Sequence, residues 1–539
     1  MMIWKMPVAA LSGLLLASAC ATTDTVPVWP EGQAESAARF EKDLTTLASD
    51  AYEGREAGTR GYLKAVEYVS KSFAEIGVKP AGDEGYLQQV PLRRATMVPD
   101  GAGLTINGED MVLYQDYFTT ASPTMESVDV TGEVVFVGHG LVAPKFGIDD
   151  YAGVDVRGKI VAIASGVPDG LPSEERAHFQ SGSTKMAIAQ QMGAIGVLGI
   201  SEDRAEDDQG KAQMVSYVSR PDEMVAYPEG QSGKVDIYTL LSKAGTEKLL
   251  EAAGLGVDEI FSETMTARPL GVTARLTSKT TFDDYTAPNV VGVIKGSDPA
   301  LADEYIVLTA HLDHIGMLKS VEKDKDLINN GAMDNATGVS TLLEEARKFK
   351  MAGNAPRRSV LFVALTAEEK GLLGSEYFAR NPTVPASSMV ANVNLDMPIL
   401  LYDFTDAIAF GAEHSSIRQI AADAGATMGV KLSPDPVPDM VLFVRSDHYN
   451  FVKAGVPSIF LFPGWENGGQ EKFTWFLQNN YHRPGDEPTQ GEAGILYDVG
   501  AKFAELNFRI AKALADADER PTWNEGDFFG DTFAPKSGM

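Results

Sequence analysis

Five short phrases in the second half of the chain hold side chains suited to gripping metal ions: His311-Leu312-Asp313, Asp334-Asn335, Glu368-Glu369, Asp396 and Tyr481-His482. The only cysteine is Cys20, near the amino terminus, so any metal must be held by imidazole nitrogen and carboxylate oxygen. Zinc accepts such donors at about 2.0–2.2 Å. Two divalent ions carry four positive charges. Asp334, Glu369 and Asp396 return three, His311 and His482 none when neutral, and a hydroxide would balance the set. Two metals about 3.5–4 Å apart can polarise a carbonyl and hold a nucleophile together. Glu368, beside a candidate ligand and not itself required as one, is placed to act as general base. Asp313 follows His311 by two residues, so strand alternation aims both to one side and lets it orient the imidazole.

The elements that must deliver these groups are legible around them. Tyr305 to Ala310 runs straight into His311, Val360 to Leu365 into Thr366-Ala367-Glu368-Glu369, and Val390 to Leu395 into Asp396. A fourth run, Ser458 to Phe462, ends at Pro463-Gly464. Unbroken Val/Ile/Leu/Phe runs suit strands covered on both faces, and in open parallel sheets the ligand cleft lies at the strands' carboxyl ends. Asp334 comes from a loop before a helix whose apolar positions, Val339, Leu342, Leu343, Ala346 and Phe349, recur at helical spacing. His482 lies in a late loop. Competing schemes lack their parts: there is no G-x-S-x-G elbow, no H-E-x-x-H helix and no Walker-type phosphate loop.

The rest of the 539 residues sets limits on what this site can serve. A composition 44% hydrophobic and 22% charged is that of a folded protein. Its net charge of −29 repels phosphate backbones, which argues against nucleic acid as a partner. Residues 1–20 read as an export signal: Lys5, then the apolar stretch Val8 to Leu16, then Ala17-Ser18-Ala19-Cys20. The phrase resembles a bacterial lipoprotein signal in which Cys20 receives the lipid, although Ala17 stands where such signals usually carry Leu. An ordinary cleaved signal is the alternative. The expected location is therefore periplasmic or outer-membrane-anchored, or else secreted. Residues 21–35 read as a tether and 36–126 as an amino-terminal, largely helical part of the catalytic domain. Residues 127–276 read as a separate β-rich module, and 277–539 as an α/β domain with a mixed, mostly parallel sheet flanked by helices. The tail after Leu514 reads as loop.

Taken in order, these phrases resemble peptidase family M28, zinc exopeptidases, in the form that carries an inserted protease-associated (PA) domain. Asp43-Leu44, Leu47-Ala48-Ser49-Asp50 and Glu53-Gly54-Arg55-Glu56-Ala57-Gly58-Thr59 are similar to that family's helical entry, and the 132–200 runs to its insert. The resemblance implies a zinc exopeptidase fold, two Zn²⁺ and peptide substrates trimmed at their amino ends. It implies Asp334 as the bridge, His311 and Asp396 as ligands of the two different ions, and Glu369 and His482 completing the set. It makes Glu368 the base, gives Tyr481 a hand in holding the oxyanion, and expects the peptide bond after Asp334 to be cis. The phrase Arg445-Ser446-Asp447-His448 also matches, with Asp447 behind the ligands and Arg445 toward substrate.

Other readings stay open at this point. A carboxypeptidase on the same scaffold would need a cation such as Arg445 or Arg483 for the substrate carboxylate. A glutaminyl cyclase would use one zinc, and a receptor-like binding protein would have lost its ligands. His139, His178 and His414 read as surface or packing residues and His314 as a neighbour of the ligand. Phe473, Trp475 and Phe476 read as a loop anchor, and Lys319 to Asp326 as a solvated loop. Oligomeric state is not encoded in any of these features.

Overall fold

The computed structural model describes residues 32–534 apart from 230, 263, 319–325, 352 and 492. The signal segment with Cys20, most of the tether 21–35 and nearly all of Lys319 to Asp326 lie outside the described residues. No helix among the described residues is long and apolar enough to cross a membrane.

A mixed sheet carries the site. Its strands are β1 (Leu87–Met97), β2 (Arg268–Ile294), β3 (Tyr305–His311), β4 (Ser359–Leu365), β5 (Met389–Leu395), β6 (Asp406–Phe410), β7 (Lys431–Ser433) and β8 (Ser458–Pro463). They lie in the order β1-β2-β4-β3-β5-β8-β6-β7. The four central strands, β4, β3, β5 and β8, are parallel, while β2 and β6 join them antiparallel. The chain leaves β3 to one side for β4 and returns to its other side for β5. That reversal of winding opens a crevice at the carboxyl end of β3, where His311 stands.

Alternation along the strands shows why they are largely apolar on both faces. Ile306, Leu308 and Ala310 of β3 and Val360, Phe362 and Ala364 of β4 face one core, while Val307, Leu361, Val363 and Leu365 face another. The first core is closed by α1 (Gln33–Leu47), α2 (Thr337–Lys350) and α3 (Tyr497–Asp516). The second is closed by the helices Leu373–Arg380 and His448–Lys453, through Phe378 and Phe451. α2 buries its predicted apolar positions and also Ser340, Thr341, Glu344 and Glu345, so it is enclosed on all sides. Truncating a ring such as Phe362 at this depth costs about 3–5 kcal/mol.

A second sheet runs Tyr117–Thr119, Tyr238–Leu241, Gly196–Ile200, Ile160–Ala164, Ser127–Phe136, β2, Gly103–Ile106 and Glu109–Asp110. It reaches back to Gly103, well before the expected boundary at residue 127, and β1 lies inside the span expected to be helical. Asp222–Val225, inside the expected module, instead pairs with β1 in the first sheet. Residues 268–279 of β2 pair within the second sheet and 280–294 within the first. The tail is not all loop: α3 continues to Asp516, and Phe528–Phe533 is helical with Phe528 and Phe529 buried.

Candidate metal centre

His311 ends β3, and its imidazole is almost wholly buried. Its Nδ1 donates to the backbone carbonyl of Asp313 at 3.1 Å, which fixes the ring so that Nε2 looks into the crevice. There Nε2 lies 3.1 Å from Asp396 Oδ1, at the end of β5, and 3.3 Å from Asp334 Oδ1. On the other side of Asp334, Oδ2 lies 3.3 Å from His482 Nε2, which is itself 3.1 Å from Glu369 Oε2. Asp334 therefore stands between two donor clusters and faces each with one oxygen. The structure brings all five expected ligands together.

Their allocation differs from the one the resemblance implied. His311 and Asp396 are not parted between two positions but share one cluster with Asp334. The reason is topological: β3 and β5 are adjacent, so their carboxyl ends present side chains to the same spot. The second cluster brings His314 together with Asp334 and Glu369, His314 Nδ1 lying 2.6 Å from Glu369 Oε1, and His482 Nε2 reaches the same two carboxylates. Donors about 2.0–2.1 Å from a tetrahedral ion are about 3.3 Å from one another. The four imidazole–carboxylate spacings of 3.1–3.3 Å fit that edge length, and imidazole with carboxylate is zinc-type chemistry.

The Asp334 turn, Ala332–Ala336, is shaped by its neighbours. Its Asp334–Asn335 peptide bond is cis, as the resemblance implied. Asn335 staples the turn to the sheet: its Nδ2 donates to the Leu395 carbonyl at 2.9 Å, and its Oδ1 accepts from Gly338 N and Met397 N. Gly331 has φ 56°, and a Cβ there would meet the Asp334 carbonyl at 2.3 Å and the His314 ring at 2.6 Å, so no larger residue fits. Behind the turn, Asp486 accepts from Met333 N at 2.8 Å and Asp334 N at 3.0 Å. The wholly buried Arg55, from the glycine-rich entry phrase, donates to the carbonyls of Leu312, Leu47, Asn330 and Gly331, tying the end of β3 to the Asp334 loop.

Asp313 acts differently from expectation. Its carbonyl, not its carboxylate, meets His311, while the carboxylate accepts from Glu368 N at 3.1 Å and Glu369 N at 3.3 Å. It thus sets the direction in which those two glutamates project. Asp396 Oδ2 accepts from the Ser446 hydroxyl at 2.5 Å, and Ser446 in turn accepts from Asn394. The SDH phrase touches the ligand through its serine; Asp447 lies fully buried, its carboxyl lifted to about 7 chiefly by burial.

Charge and burial compete throughout. Burial opposes a charged His482, but Asp334 and Glu369 outweigh it and raise the imidazole to about 10. His311 is raised too, Asp396 and Glu368 overcoming its burial. Glu369 settles at about 2 despite burial and Asp334, because His314 and His482 favour its charge. Glu368 goes the other way: loss of water lifts its carboxyl well above the ordinary range, with Asp396 and Glu369 adding to the effect.

Glu368, Asp334, Asp396 and His482 open onto a cavity of about 150 Å³ walled by Met397, Leu442, Phe460, Phe462 and Phe473, with Arg445 and Tyr481 at its edge. The Tyr481 ring stacks on His482, centroids 3.9 Å apart, and burial keeps its phenol protonated at any working pH. Phe473 thus lines the cleft as well as anchoring its helix; Phe476 packs against Tyr481. Arg483 turns away, donating to the Gln478 carbonyl. His139 and His178 are not part of this site, and neither is His414, which is buried between Glu174 and Asp527. Asn335, Asp486, Arg55, Ser446 and His314 were missed as contributors. The first four act largely through main-chain or outer contacts that carry no spacing signal, while His314 was marked only by its position after His311-Leu312-Asp313.

Residues 289–506, which contain all five candidate ligands and Glu368, match the sequence model of peptidase family M28. Among curated relatives, a probable leucine aminopeptidase 2 of Aspergillus oryzae is 27% identical over 298 residues, 51% of each chain. A probable glutamate carboxypeptidase of Arabidopsis thaliana is 34% identical over 115 residues, 21% of this chain and 14% of that one. The chain spans about half or less of the length of these relatives. The solved aminopeptidase from Aneurinibacillus sp. strain AM-1 aligns over 91% of this chain and 97% of its own, with 21% identity and a TM-score of 0.48.

Proposed function

We propose that this protein is a two-zinc exopeptidase that removes amino-terminal residues from peptides. The observation that carries the reading is the pair of donor clusters sharing Asp334, with Glu368 beside them in the same cleft and bound to neither. His311 and Asp396 would hold one ion, Glu369 and His482 the other, and Asp334 both. When bound, the ions supply Lewis acidity and a water acidic enough to be a nucleophile near neutral pH.

The chain's own groups do the rest. Glu368 in its ionised form takes a proton from the attacking water, and its burial, which raises its affinity for that proton, suits it to carry the proton to the leaving amine. The Tyr481 hydroxyl, held protonated, donates to the oxygen that gains charge. Asp313 fixes the Glu368 backbone, so the base is presented by a rigid turn. The apolar wall around Phe460, Phe462 and Phe473 receives a substrate side chain.

Arg445 at the cleft edge favours a second reading, carboxypeptidase action, in which it would receive a substrate carboxylate. A panel of aminoacyl chromogenic substrates, with and without chelator, tests the first reading, and peptides blocked at either end separate the two. Turnover that survives an amino-terminal block and stops with a carboxyl-terminal one would assign the carboxypeptidase. Activity untouched by chelator would remove both. The proposal extends to export through residues 1–20, with lipid on Cys20, and to the second sheet as a PA-like module; labelling with radioactive palmitate, lost in Cys20→Ser, tests the anchor.

A further inference from the structure

A separate cavity of about 1150 Å³ lies where the helices Ser173–Gln180 and Gly182–Gln191 meet Leu373–Arg380, His448–Lys453 and Phe528–Phe533. It shares no lining residue with the metal centre. Much of its wall is apolar, including Phe179, Ile188, Met192, Phe528 and Phe533.

Four cations open onto it, Lys145, Lys234, Arg380 and Lys453, against two carboxylates, Glu376 and Asp531. Two of the four are engaged. Lys145 Nζ donates to the Gly526 carbonyl at 2.7 Å, and Arg380 lies on the Tyr227 ring and 3.5 Å from Glu376. Glu376 is occupied as well, accepting from the Tyr227 hydroxyl at 3.1 Å. Lys453 rests its ammonium 5.0 Å from the Tyr449 ring centroid. Neither Lys453 nor Lys234 has a carboxylate within ion-pair distance among the described residues. The cavity thus carries a positive excess beside its apolar wall, and Lys453 and Lys234 have donors free to meet an anion.

We propose that this cavity binds an amphipathic monocarboxylate, its carboxylate on Lys453 and Lys234 and its apolar body against Phe179, Phe528 and Phe533. The test is calorimetric titration of the zinc-loaded full chain with hexanoate, octanoate and decanoate, and with inorganic phosphate. Affinity is expected to rise by about fourfold per added CH₂, and the Lys234→Gln/Lys453→Gln variant should bind decanoate at least tenfold more weakly. Its melting temperature and peptide turnover should match those of the parent. Asp334→Asn, which disables the metal centre, should bind decanoate as the parent does. Loss of binding in Asp334→Asn would show the acid sitting on the metals and overturn the proposal. So would affinity independent of chain length, phosphate binding as tightly as decanoate, or undiminished binding in the double lysine variant. If the double variant fails to fold, Phe533→Ser, expected to weaken decanoate more than hexanoate, decides the matter in its place.

Discussion

The Asp486 carboxylate accepts the backbone N–H of Asp334 at 3.0 Å, so the loop that supplies His482 also fixes the residue standing between the two donor clusters. Through its other oxygen it holds Met333 N and the Gln490 side chain. In Asp486→Asn one acceptor becomes a donor facing an N–H. Zinc affinity should fall by about 10–100-fold with the fold intact. Competition with a chromogenic chelator measures this, and an unchanged affinity would count against the linkage.

Glu368→Gln and Asp334→Asn separate base from ligand. The first should keep about two zinc ions per chain while turnover drops by about 10²–10⁴-fold. The second should lose metal outright. Elemental analysis beside steady-state kinetics reads both, and near-normal turnover in Glu368→Gln would remove it from the mechanism.

Metal uptake should be pH-dependent in a defined direction. In the metal-free protein His482 is raised to about 10 and His311 is raised as well, so both carry protons at neutral pH that an entering ion must displace. Affinity should therefore rise with pH, by about tenfold per unit for each proton displaced, levelling off near pH 10 for His482. Proton release on adding zinc to unbuffered protein at pH 7 checks the sign. Uptake without release would contradict it.

His414 reports on the joint between the two sheets' segments. It is held between Glu174 and Asp527, with Phe443 and Phe529 packed on its ring. Burial opposes its charge, but the two carboxylates raise it to about 10. A raised imidazole contributes stability in full below its ordinary value of 6.5 and loses it as pH climbs through 10. Asp527, lowered by His414 against the cost of its burial, contributes above its ordinary 3.8 and fails in acid. Stability from this clasp should thus peak between pH 4 and 6.5. His414→Ala should cost about 2 kcal/mol or more there and less above pH 10, by thermal melts across pH.

The central strands were legible because β3, β4 and β5 are covered on both faces and are largely apolar, their buried Thr309, Asn392 and Asn394 being hydrogen-bonded among themselves. The ligands stood out because acids and histidines interrupt those runs where the strands end. Partition of His311 and Asp396 was not legible: it depends on β5 lying beside β3, a neighbour relation no local spacing records. Asn335, Asp486 and Arg55 were silent because each serves the site through main-chain contacts. The strands Gly103–Ile106 and Tyr117–Thr119 are too short to show alternation, so the second sheet's beginning was placed too late. Phe528 and Phe529 follow a run of polar residues and turn signals, and only their packing on His178 and His414 reveals a helix there.

β2 is one unbroken strand shared by both sheets, and that makes the molecule a continuous girder and not two beads on a string. Its far end is laced to β4, whose exit carries Glu368. Displacement applied to the smaller sheet is carried along the β2 backbone and across its ladder of hydrogen bonds to β4, toward the glutamate. Transplanting the smaller sheet elsewhere as a cassette would mean sawing through this shared beam.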